Sequence, residues 1–332
     1  MTGFKDVVGH KEIIEYIRNA ISQDKVSHAY VLNGPRGSGK KMLAKLFAMT
    51  LLCERSQTDP CGKCKSCIQA ESNNNPDIIY VVPEKLNATG IGVDDIRNQV
   101  NSTVDIKPYR SAYKVYIIRD ADKMTPGAQN ALLKTLEEPP AYVVFLLLTE
   151  NENMLYDTII SRCVKLKLRN LKDTLIKKYL QDNLGLGEYE AKVCTAFAQG
   201  NLGQAIMLAG SENFTELKNE AVLLAKRVKK MEMEDLIGAV RSAAARNKVE
   251  IGDFLDMVAI WYRDVLLYKA TTDIDGVIFR EDLETIKEQA RKSSYEGIEK
   301  ILEAINVAKE RLQANVNSEL SLELLFLTLK EN

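Results

Sequence analysis

The chain of 332 residues has almost no net charge, because 45 Lys and Arg stand against 46 Asp and Glu for a formal −1. With no overall basic field, tight independent binding to nucleic acid is not indicated by charge. Long apolar runs are also missing. No stretch approaches the length of a membrane span, and Met1 to Lys11 lacks the apolar region of a secretory signal, so the expectation is a cytoplasmic chain with no membrane partner. Histidine is scarce, with two in all; His28 has no partner at ligand spacing and reads as a turn or strand-start residue. No low-complexity segment or internal repeat is visible, and the length suits two or three domains. A reducing compartment makes disulfides unexpected, which turns the six cysteines toward metal binding or inert core roles.

What is present begins with Gly34-Pro35-Arg36-Gly37-Ser38-Gly39-Lys40-Lys41, between the apolar run Ala29 to Leu32 and the helix-like Met42 to Phe47. This is a phosphate-binding loop with one departure. Gly34, Gly37 and Gly39 let backbone N–H groups turn onto phosphate oxygens, the following helix adds its dipole, and Lys40 can reach the β and γ phosphates. The eighth position normally carries a hydroxyl that ligates Mg²⁺, whereas Lys41 offers an ammonium that cannot. The sequence therefore allows ATP or ADP to bind through Gly34, Gly37, Gly39, Lys40 and Lys41, but argues against hydrolysis.

Cys53, Cys61, Cys64 and Cys67 form a C-x7-C-x2-C-x2-C array in a polar stretch that reads as a loop too short for an apolar core of its own. Four thiolates so close predict a structural Zn²⁺ site, closed and tetrahedral, with no open position for catalysis.

Strand signals recur at Asp77 to Pro83, Tyr113 to Ile118, Val143 to Leu148 and Val164 to Leu168, alternating with helices at 11–21, 93–104 and 127–138. Such alternation predicts an α/β fold, a doubly wound parallel sheet with helices on both faces. The third strand ends Arg119-Asp120-Ala121-Asp122, where a phosphate-loop ATPase needs a metal-organising Asp followed by a Glu. Arg119 stands at the first of these positions, and Asp122 reads as a strand-end or cap residue. From Leu171 only helical patterns remain: 171–184, 188–199 and 202–209, then an all-helical region after Asn213. The last helix is apolar around most of its circumference, which suits burial against several neighbours. Lys226-Arg227-Val228-Lys229-Lys230 reads first as a solvated helix face.

The degenerate phosphate loop, the four-cysteine insertion after its helix, Leu133-Lys134-Thr135-Leu136-Glu137-Glu138-Pro139-Pro140 and Ser161-Arg162-Cys163 together resemble the clamp-loader branch of the AAA+ ATPases, over essentially the whole chain. The resemblance implies an ATPase-like domain at 1–168 with a zinc-binding insertion at 53–67, a helical lid at 169–210 and an all-α collar at 211–332 that assembles a pentameric ring. It implies other clamp-loader subunits, a sliding clamp and primed DNA as partners. By the family's pattern Arg162 points into the ATP site of the adjacent subunit as an arginine finger, and Gly203, in Gly200 to Ala205, stands where motor subunits place a nucleotide-sensing Arg. Lys41, Arg119 and Gly203 alter three parts of one active site, so the expected function is a non-hydrolysing subunit. The alternatives are an ATP-hydrolysing motor subunit, or a zinc-dependent nucleic-acid-binding module using Cys53 to Cys67 with Lys63 and Lys65.

Overall fold

The computed structural model describes residues 3–56, 58–85 and 90–332. The first two residues of the Met1 to Lys11 segment lie outside the described residues. The chain divides into two compact units, Met1–Leu175 with Asn201–Gly203, and Ile176–Gly200 with Gln204–Asn332.

The first unit is built on five strands: β1 (Ala29–Asn33), β2 (Ile78–Val81), β3 (Lys114–Ile118), β4 (Val143–Thr149) and β5 (Val164–Lys167). All pairings are parallel, in the order β2-β3-β4-β1-β5. Alternate residues of each strand face opposite layers, as the two-residue period of a strand requires. Tyr30, Leu32, Ile117 and Leu146 enter one core with Phe47, beneath α1 (Lys11–Ser22) and α2 (Lys40–Leu51). Ala29, Val31, Tyr116 and Phe145 enter the other, with Leu132 and Leu136 of α5 (Pro126–Glu137). Between α2 and α5 lie the short helices α3 (Lys65–Glu71) and α4 (Val93–Ile96). Every residue of β4 is buried, which explains its unbroken apolar run: a parallel strand between two helix layers has no wet face.

The helix expected over 93–104 is interrupted. After α4 the backbone widens to a π-turn at Arg97–Asn101, with Ser102 N–H donating to the Arg97 carbonyl at 2.9 Å. Periodicity could not reveal this, because Ile96, Val100 and Val104 all remain buried across the turn.

The second unit is helical throughout among its described elements: α7 (Asp173–Leu184) leads into it, followed by α8 (Glu188–Ala198), α9 (Leu202–Ala209), α10 (Glu212–Arg227), α11 (Met233–Ala244), α12 (Lys248–Thr271), α13 (Leu283–Lys292), α14 (Tyr295–Gln313) and α15 (Ser318–Glu331). α6 (Asp157–Ile160) is the last short helix of the first unit. In α12 the fully buried Trp261 donates its indole N–H to Gln289 Oε1 at 2.8 Å, and Gln289 Nε2 donates to the Ala225 carbonyl at 2.7 Å, tying α12, α13 and α10 together. α15 buries Leu322, Leu325, Phe326 and Leu329 but leaves Leu320 and Leu324 exposed. The basic run at 226–230 is only in part the solvated face expected from its charge density: Arg227 and Lys230 are exposed. Lys226, by contrast, pairs with Asp282, and Lys229 donates to Ser293 Oγ and the Asn332 carbonyl, on either side of the fully buried Val228.

Candidate phosphate loop, thiolate cluster and Arg162

The loop from Gly34 to Gly39 leaves the C-terminal end of β1, between β4 and β5, where strand order reverses and ligands of doubly wound sheets bind. Its shape depends on glycine at two positions, Gly37 at φ 85° and Gly39 at φ 91°, a region in which a Cβ is strained. Gly39 is the N-cap of α2, so the loop's N–H groups and the positive end of the helix dipole share one space. Ser38 Oγ is buried in the loop with no hydrogen-bond partner, a polar atom that a phosphate oxygen would satisfy. These features fit a bound phosphate chain.

Lys40 Nζ donates to the carbonyls of Gly34 and, at 3.0 Å, Pro35. Burial lowers its pKa, while the carboxylates of Glu150, Asp122 and Asp120 oppose the shift. Lys41 is exposed at the next position, and supplies no oxygen to a metal. At the end of β3 the Arg119 guanidinium stands 4.9 Å from the centre of the Tyr80 ring, a cation–π contact. Asp120 adopts a left-handed conformation, φ 48°, and lies 3.9 Å from Lys123 Nζ. Asp122 is inside the short 3-10 turn Ala121–Lys123 and accepts from the Glu150 N–H at 3.3 Å, so it links the ends of β3 and β4 instead of capping a helix.

Three contacts to this loop were not legible in the sequence. The His10 imidazole lies against the Ser38 backbone, and burial lowers its pKa against the raising effect of that hydrogen bond. Asn201 Nδ2 donates to the Arg36 carbonyl, and the Gly203 N–H donates to the Gly37 carbonyl at 3.1 Å. A Cβ at Gly203 would fall 2.5 Å from that same carbonyl oxygen, so the position expected to lack a sensing Arg has no room for any side chain in this arrangement. Pairs separated by more than 160 residues leave no periodic signal, and in the sequence Gly203 stands out only for what it replaces.

The four sulfurs of Cys53, Cys61, Cys64 and Cys67 lie within 4.8 Å of one another. Ligands at Zn–S distances of about 2.3 Å in a tetrahedron sit roughly 3.8 Å apart, so the cluster fits one zinc ion after small adjustment. The N–H groups of Cys61, Cys64 and Cys67 donate to the sulfurs of Cys53, Cys61 and Cys64 at 3.3–3.4 Å, which orients three thiolates and offsets their charge. Cys61 is drawn down to about 6, first by the Lys63 N–H, while burial pushes Cys67 up. The surrounding stretch is less loop-like than its composition implies. Cys64 caps α3, and the buried Cys64, Cys67 and Ala70 join the apolar core under α1 and α2.

Arg162 follows α6. Its Nη1 donates to the Thr158 carbonyl and its Nη2 to Glu137 Oε1, both at 2.8 Å. The structure thus joins Ser161-Arg162-Cys163 to the Leu133 to Pro140 segment; the neighbouring Cys163 thiol is pushed up to about 12 by burial.

Among the described residues no helix is long and apolar enough to cross a membrane. The family described as DNA polymerase III, delta subunit, matches residues 9–172, and the one described as its C-terminal part matches residues 231–331. The delta' subunit of DNA polymerase III from Bacillus subtilis is 31% identical over 96% of this chain and 95% of its own length. The tau subunit from the same organism is 30% identical over 93% of this chain, which spans 58% of the length of tau. A solved gamma subunit-related protein of DNA polymerase III from Thermotoga maritima is 20% identical, covering 96% of this chain and 98% of that one at a TM-score of 0.42, too low to establish a shared fold.

Proposed function

Because the chain belongs to the DNA polymerase III clamp-loader family that includes the delta' subunit, we propose that it is a non-hydrolysing, delta'-like subunit of the clamp loader. In this reading it takes its place with delta and gamma/tau subunits in a hetero-pentameric ring of the cytoplasmic polymerase holoenzyme. The ring loads the sliding clamp onto primed DNA, and this chain assists while neighbours hydrolyse ATP. Residues 1–168 form the ATPase-like domain, 169–210 the lid and 211–332 the oligomerising collar.

The observation that carries the reading is the pair Lys41 and Arg119. Both positions that would organise Mg²⁺ are cationic, at the start of α2 and the end of β3, beside an otherwise fitting loop of Gly34, Gly37, Gly39 and Lys40. Lys40 and the loop amides can still hold phosphates without turnover. Arg162, by contrast, is an intact arginine with three N–H donors beyond its bonds to the Thr158 carbonyl and Glu137, which supports its use toward a neighbour's phosphate. Cys53, Cys61, Cys64 and Cys67 would hold a structural zinc, which supplies charge compensation and closure of the insertion.

The motor-subunit alternative draws support from the match to tau, and it separates cleanly by experiment. The purified chain should hydrolyse ATP no faster than background, with or without Mg²⁺. Turnover abolished by Lys40→Ala would establish the motor reading instead. Reconstitution with the other loader subunits should give a ring that loads the clamp only when this chain is included.

A further inference from the structure

The geometry points to Glu137 as the residue that positions Arg162 for its work in the neighbouring subunit. The inference rests on the arginine-finger reading above, and assigns a role to a carboxylate that the reading leaves idle. Glu137 Oε1 and the Thr158 carbonyl take one N–H each from the two terminal nitrogens of Arg162. A guanidinium has five N–H donors, so three remain for phosphate oxygens while the group stays held. An unrestrained arginine must be ordered when it engages the reacting phosphate; one already fixed by two acceptors has met that requirement beforehand.

The location of Glu137 supports a purpose beyond stability. It is the last residue of α5, at the end where the helix dipole is negative, and a carboxylate there is unfavourable unless a cation faces it. Pro139 and Pro140 stop the helix at this point and fix where the carboxylate is presented. The ion pair is partly open to water, with side-chain exposures of 35% for Arg162 and 50% for Glu137. Pairs so exposed contribute little to folding, so the pair's effect belongs to the direction of Arg162.

The test is steady-state ATPase of the complete reconstituted loader, read as the share of activity that depends on Arg162, with ring assembly checked by size. Glu137→Ala should lower kcat of that share by about three- to tenfold, a modest coupling, with KM for ATP unchanged. Glu137→Gln keeps an acceptor at the same reach and should recover part of the loss; it also serves if the Ala variant fails to assemble. In an Arg162→Ala background Glu137→Ala should add nothing. An unchanged or raised rate in Glu137→Ala, or a further loss in the double variant, overturns the positioning role while leaving the finger intact. Unchanged activity in Arg162→Ala itself overturns the finger and this inference together.

Discussion

Asp77 is 2% exposed just ahead of β2, and its carboxylate accepts N–H bonds from Tyr109 at 2.6 Å, Arg110 at 3.1 Å and Ser111 at 3.0 Å. One buried side chain thereby satisfies three backbone donors of a segment more than thirty residues away, just before β3. Removing it takes the acceptor from all three donors, which lie in a half-exposed segment that water can partly reach, so Asp77→Ala should cost about 1–2 kcal/mol. Asp77→Asn, which keeps one acceptor, should cost less. Denaturant midpoints at constant slope would measure both, and a loss of under about 0.5 kcal/mol in the Ala variant would mean the loop has other partners. At this scale the sequence was legible where identity alone matters. Lys41 and Arg119 are anomalies in any setting, since neither can ligate a cation. It was silent where meaning comes from a distant partner: Tyr80 beside Arg119, Asp77 beneath Tyr109, and Glu137 beside Arg162.

Elements were more legible than contacts. All five strands lie within a residue or two of the stretches that announced them, the central β1, β3 and β4 as nearly continuous apolar runs because both their faces are covered, the edge strand β5 by its alternation of apolar residues with Lys165 and Lys167. The strand order was not predicted. It depends on which crossover packs where, and adjacent strands in the sheet such as β1 and β4 are separated in the chain by two others, β2 and β3, which leaves no local pattern. The cysteine stretch shows a subtler limit. Polar composition implied a bare loop, whereas Cys64 and Cys67 sit on a short helix whose buried face belongs to the core of the first unit. Its metal should therefore matter locally. Purified without chelator, the chain should carry one zinc, and Cys64→Ser or chelation should speed hydrogen exchange across 53–71 while α12 and α14 keep their protection. Protein free of zinc, or an exchange pattern indifferent to its removal, would assign the four cysteines to core packing.

For the whole molecule the question is which subunit the chain serves as, and near-equal identity to delta' and tau makes overall similarity a poor judge. The decision falls to a division of labour between adjacent chains. An arginine supplied in trans stabilises charge developing on the transferred phosphoryl group, and such fingers are worth about a thousandfold or more in rate. In the proposed reading this chain's own loop, with Lys41 and Arg119 at the metal-organising positions, gains nothing from Arg162. Arg162→Ala should therefore leave the chain folded and the ring assembled, since the side chain is partly exposed and held by a surface ion pair. It should nonetheless lower hydrolysis at one neighbouring site and slow clamp loading. Total ATPase should fall only in part, because in the proposed ring other sites would take their arginines from other subunits. Arg162→Lys should rescue little: a point charge lacks the planar fork that holds two acceptors while reaching a third. Steady-state ATPase and loading by reconstituted rings measure the effect, and unchanged rates in an intact ring would leave Arg162 only its structural bonds to Glu137 and the Thr158 carbonyl.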